Sequence, residues 1–129
     1  MNGFAFQAMA VGGGAALGAW LRWGLGLWMN ARVANFPLGT LAANAIGGLL
    51  VGLAIAHFSA NESIAPAWRL FIVTGFLGGL TTFSTYSAEV VGLFERGLPA
   101  WALGVAAAHL VASFALTALG IALYRAVAA

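Results

Sequence analysis

The chain has 129 residues, of which 63% are hydrophobic and 6% charged, with no cysteine and a formal net charge of +2. A soluble domain carries roughly 25% charged residues, so this composition excludes one and points to an all-α integral membrane protein. The small basic excess is no nucleic-acid footprint, and without cysteine there is no disulfide framework.

A membrane span needs about 20 apolar residues, and four fit in this chain. The first ten residues carry no basic stretch and are read as the start of a retained helix, not a cleaved leader. The first span covers residues 4–29 and contains Arg22, which either holds an anion in a vestibule or snorkels to the interface. The second runs from just after Pro37 to His57, which marks its end. Residues 67–94 form the third, and inside it lies Gly78-Gly79-Leu80-Thr81-Thr82-Phe83-Ser84-Thr85-Tyr86-Ser87, a glycine pair followed by a hydroxyl-rich run. Hydrocarbon tolerates irregular polar backbone only where protein buries it or a watery path touches it. Ion sites in membrane proteins are built from such helices broken near the midplane. The run therefore predicts a broken third helix beside a permeation path. The fourth span covers residues 99–124 and leaves no soluble domain.

Short connections make neighbouring spans antiparallel. Trp20, Trp23, Trp28, Trp68 and Trp101 fall toward span ends, where interfacial indoles sit. Arg69 and Arg125 lie on one side and Arg32 and Arg96 on the other, so the arginine bias that orients membrane proteins is nil. Such a chain can insert both ways, which allows an antiparallel dimer. Gly14 with Gly18, Gly48 with Gly52 and Gly75 with Gly79 are spaced four apart, a pattern that lets helix backbones approach closely.

Polar residues inside spans are costly and tend to face a cavity or a partner. Thr40, Asn44 and Gly48 share one face of the second span, and His109, Ser113 and Thr117 form a stripe on the fourth. A hydroxyl in such a stripe can instead bond the carbonyl four residues earlier. Glu62 and Glu95 fall in loops and Glu89 late in the third span, where it is either a gate or, as favoured here, a structural partner for a helix end or an arginine. The midplane offers amide and hydroxyl donors and aromatic ring edges, a lining suited to an anion.

Gly18-Ala19 with Arg22-Trp23, Phe36-Pro37-Leu38-Gly39-Thr40-Leu41 leading to Asn44 and Gly47, and Gly75 through Ser87 with Glu89 together resemble the Fluc (CrcB) fluoride channels. The resemblance implies a dual-topology homodimer in a bacterial cytoplasmic membrane, with two antiparallel pores that export fluoride passively. It implies that Asn44 hydrogen-bonds fluoride and that Phe83 and Tyr86 present ring edges to it. Thr40, His109, Ser113 and Thr117 would line the pore, and Arg22 a vestibule. Backbone carbonyls of Gly78 and Thr81 from both subunits would hold one central structural Na⁺, four oxygens in all, as suits a hard cation. Tyr86 departs from the family pattern, which has Phe there, so its hydroxyl could bind fluoride, obstruct the path or turn outward.

Two rival functions fit the size. A small dual-topology multidrug exporter needs an ionisable residue deep in the membrane, such as an acidic one in the first span, and that span has no carboxylate. A purely structural subunit leaves the hydroxyl-rich break and both polar stripes unexplained. No nucleophile–base pair, metal-ligand cluster or phosphate-binding glycine loop indicates an enzyme.

Overall fold

The computed structural model describes residues 3–129. Met1 and Asn2, part of the expected opening helix, lie outside the described residues. The described chain is helical, with α1 (Gly3–Met29), α2 (Leu38–Ala60), α3 (Pro66–Arg69), a π-helical segment (Leu70–Leu77), α4 (Gly78–Leu80), α5 (Ser84–Glu95) and α6 (Pro99–Ala128). The pieces from Pro66 to Glu95 make one span, so four segments are long and apolar enough to cross a membrane.

Helix ends fall where local chemistry stops them. Pro66 and Pro99 occupy the first turns of α3 and α6, where a missing N–H costs nothing. Past His57, α2 runs on to Ala60, and the Asn61 side chain closes it by donating to the His57 carbonyl at 2.8 Å. The α6 helix likewise continues beyond Tyr124 to Ala128 on good helix formers.

Two glycine-mediated seams hold the bundle. Along one, α1 lies on the π-helical segment and α4; along the other, α2 lies on α6. A methyl group at Gly14 would come within 2.2 Å of the Phe71 carbonyl oxygen, and one at Gly79 within 2.3 Å of that of Ala15. At Gly52 it would meet the Thr117 oxygen at 2.2 Å, and at Gly120 the Leu49 oxygen at 2.3 Å. These glycines let backbones touch where no side chain fits. The expected pairs at Gly14/Gly18, Gly48/Gly52 and Gly75/Gly79 all lie in these seams, facing backbone or side-chain atoms of the neighbouring helix. Trp20, Trp23, Trp28, Trp68 and Trp101 are exposed on the outside of the bundle.

The third span is broken, but not at its glycines. Gly78 is helical, with φ −63° and ψ −36°, and Gly79 packs against α1. The helix stops at Thr81, whose φ −85° and ψ 153° are extended, and resumes at Ser84. Segments of 4, 8 and 3 residues precede the break and one of 12 follows it, so it lies close to the middle of the span.

Candidate functional site

A break inside hydrocarbon frees backbone groups that must find partners or face a polar space. Here several of them find partners within the chain. The Leu77 carbonyl accepts both the Thr81 amide at 3.0 Å and the Thr81 hydroxyl at 2.8 Å. The Thr85 amide, opening α5, donates to the Thr82 hydroxyl at 3.0 Å, and the Phe83 carbonyl takes the Ser87 amide at 2.8 Å. Thr82 is held by the Asn44 side chain on α2. Its N–H donates to Asn44 Oδ1 at 2.7 Å, and its carbonyl accepts from Asn44 Nδ2 at 3.0 Å. One side-chain amide thus stands in for a missing turn of helix.

Asn44 Nδ2 also faces His109 Nδ1 on α6 at 2.9 Å. Asn44 and His109 are buried, 8% and 3% exposed. The imidazole lies against the Tyr86 ring of α5 at 4.4 Å between centroids and 26° between planes, while Phe83 meets Tyr86 edge-on at 5.6 Å. The Tyr86 hydroxyl donates to the Ala106 carbonyl at 3.1 Å. That bond is not among the three fates expected of the phenol: its hydroxyl is tied to the α6 backbone.

Beside the break runs a groove of about 530 Å³ lined by Asn44, Thr81, Phe83, Tyr86, His109, Ser113 and Thr117 among others. Phe83 is 76% exposed on its lip, so the groove opens to one side of the chain. Thr117 Oγ1 donates across to the Gly48 carbonyl on α2 at 3.1 Å, not to its own helix. The Ser113 hydroxyl has no hydrogen bond among the described residues. His109 Nε2 is buried and likewise unpartnered.

Of the remaining expected residues, Thr40 does not line this groove. Thr40 is buried in the first turn of α2, where its hydroxyl donates to Glu89 Oε1 at 2.7 Å and its amide to Asn30 Oδ1 at 3.1 Å. Arg22 is part-buried, with Nε on the Gly79 carbonyl at 3.0 Å, and it does not line the groove. The carbonyls of Gly78 and Thr81 accept no hydrogen bond among the described residues. A second cavity of about 290 Å³ lies beyond Glu89, lined by Asn30, Asn35, Pro37 and Arg96 among others. The sequence reading missed that chamber; the one signal for it was the density of polar residues flanking Pro37.

The family described as "CrcB-like protein, Camphor Resistance (CrcB)" matches residues 9–121. A relative in Pseudomonas putida (strain W619), named "Fluoride-specific ion channel FluC", is 57% identical over 116 residues, covering 90% of this chain and 91% of the relative. A protein of the same name in Thiobacillus denitrificans (strain ATCC 25259 / T1) is 59% identical over 114 residues, covering 87% and 90%. Another in Dechloromonas aromatica (strain RCB) is 56% identical over 117 residues, covering 91% and 87%. These names are those of channels, in keeping with a sequence that offers no catalytic arrangement. With the match reaching from α1 well into α6, the chain belongs to the CrcB-like family.

Proposed function

We propose that the protein is a fluoride channel of the bacterial cytoplasmic membrane that lets fluoride leave the cell passively. The observation that carries this reading is the convergence of the α6 stripe and the two aromatic rings on one groove beside the break. Fluoride is small and strongly hydrated, so its path needs close-set donors in place of water. The groove supplies the Ser113 hydroxyl and ring edges of Phe83 and Tyr86, whose positive rims attract anions. Among the described residues no carboxylate lines it. The fluoride specificity is taken from the names of the relatives.

The working form is a homodimer of inverted subunits with two antiparallel paths. Balanced arginines on the two sides of the membrane and a groove open on one side of the chain support it. Na⁺ fits the carbonyls of Gly78 and Thr81, which sit at the negative end of a half-helix and have no donor among the described residues. Taken from both subunits, these oxygens would hold the ion on the dimer axis. Its charge would raise the local potential for anions.

Purified protein reconstituted alone into fluoride-loaded liposomes tests the reading. Fluoride should leave without a proton gradient, chloride should be retained, and Asn44→Asp should abolish release by adding a carboxylate to the lining. Release of both halides alike, or dependence on a proton gradient, would refute it.

A further inference from the structure

The Asn44 amide can sit only one way round. The Thr82 N–H is a donor, so the Asn44 atom 2.7 Å away must be the oxygen. Nδ2 is then the atom shared between the Thr82 carbonyl at 3.0 Å and His109 Nδ1 at 2.9 Å. An amide nitrogen carries two protons, and both are engaged. His109 Nδ1 must therefore accept, which leaves the imidazole neutral with its proton on Nε2. That N–H is buried and has no acceptor among the described residues, although the ring lines the groove. Stacking on Tyr86 fixes the ring plane.

We infer that Asn44 is a positioning residue, and that His109, held by it with the proton on Nε2, presents the N–H that meets the anion. This rests on the groove being the anion path. An anion taking a hydrogen bond directly from Asn44 would have to displace Thr82 or His109. An anion meeting His109 would complete a buried donor that has no partner among the described residues, and such donors rarely stay unpaired. The Ser113 hydroxyl, unbonded among the described residues, lies one helical turn further along the same face of α6, a second donor for the same passage.

Nitrogen-15 NMR of histidine-labelled protein in lipid bilayers reads this directly, because the two ring nitrogens report which of them carries the proton. A His57→Gln background leaves one imidazole to observe. We expect the proton on Nε2, and the Nε2 signal moving when fluoride is added. In Asn44→Asp the carboxylate can still accept from Thr82 but has no proton for Nδ1, so the ring proton should move to Nδ1. A merely structural role for Asn44 would not invert that pattern. In liposomes, His109→Phe should slow release on the order of tenfold, the rate equivalent of about 1.4 kcal/mol. His109→Gln, which keeps an acceptor for Asn44 and a donor for the anion, should recover most of it.

A proton found on Nδ1 in the Asn44 protein, an unchanged tautomer in Asn44→Asp, or fluoride shifting the Asn44 amide and not Nε2 would overturn the inference. If the tautomers behave as expected but the protein releases no fluoride, the channel reading fails, and the anion's contact with His109 falls with it. The hold of Asn44 on the His109 tautomer would then stand.

Discussion

Replacing Gly18 by alanine sets two effects of opposite sign against each other. Alanine is the better helix former by about 1 kcal/mol, so a glycine-to-alanine change in a freely exposed helix face stabilises. At Gly18, however, the added carbon would lie 2.0 Å from the Phe76 carbonyl oxygen and 2.7 Å from the Leu80 amide nitrogen, where ordinary contact begins at 3.4 Å. Both atoms are backbone, so no rotamer change relieves the clash. The seam between α1 and the third span has to open by more than an ångström. Overpacking of this kind costs about 1–3 kcal/mol and occasionally more, and with backbone on both sides the upper end applies. The net loss should be about 2 kcal/mol. Arg22 lies one turn further along α1, and its bond to the Gly79 carbonyl crosses the same seam, so fluoride release should also fall. Gly13 on the same helix and Gly104 on α6 have nothing within 4 Å of the added carbon, so alanine there should be neutral or stabilising. Reversible unfolding of reconstituted protein by denaturing detergent compares the three variants. A Gly18→Ala protein as stable as the two controls would refute the close-contact argument.

Other substitutions test single hydrogen bonds. Tyr86→Phe removes the donor to the Ala106 carbonyl but keeps the ring against His109; stability should fall by about 1 kcal/mol, and fluoride release should stay within about fivefold of the parent. A marked loss of flux in liposomes would show that the hydroxyl is required. Thr40→Val takes from Glu89 its only donor among the described residues, where Oε2 is already buried and unpartnered. Leaving the whole carboxylate unsatisfied should cost about 1–3 kcal/mol in the same unfolding measurement, and Thr40→Ser should restore most of it. Equal stability of the valine and serine forms would show that this hydroxyl does not hold Glu89.

The spans were legible because about 20 apolar residues between breakers leave little choice of structure. The face shared by Thr40 and Asn44, and the one shared by His109 and Thr117, followed from helical spacing, and the structure turns both inward. The break was legible as a region but not as a residue. The glycine pair attracts attention, yet Gly78 and Gly79 remain helical, and the extended residue is Thr81, a β-branched residue at home in that conformation. What decides the position is Asn44, 38 residues away, binding both polar groups of Thr82. No local pattern encodes a contact of that range. Glu89 illustrates the same limit. A structural partner at a helix end or an arginine was expected, and the one it has is Thr40, in the first turn of α2, while Arg96 reaches toward Asn35 instead.

The hydrogen bonds around the break also bear on what covers its open side. Leu77, Gly79, Thr82 and Phe83 each have their carbonyl satisfied within the chain, whereas those of Gly78 and Thr81 do not among the described residues. An unsatisfied carbonyl at membrane depth costs several kcal/mol unless a polar space or a partner meets it, and Gly78 and Thr81 both line the open groove. A second copy and a cation between the two sets of carbonyls would remove that cost, and neither alone does so as well. Copies without the ion bring like dipoles together, and the ion without a partner has too few oxygens. Dimerisation measured at low protein density in bilayers should therefore be tight and should weaken when Na⁺ is replaced by a large organic cation. A chain that remains monomeric in Na⁺, or a dimer indifferent to the cation, would contradict this account of Gly78 and Thr81.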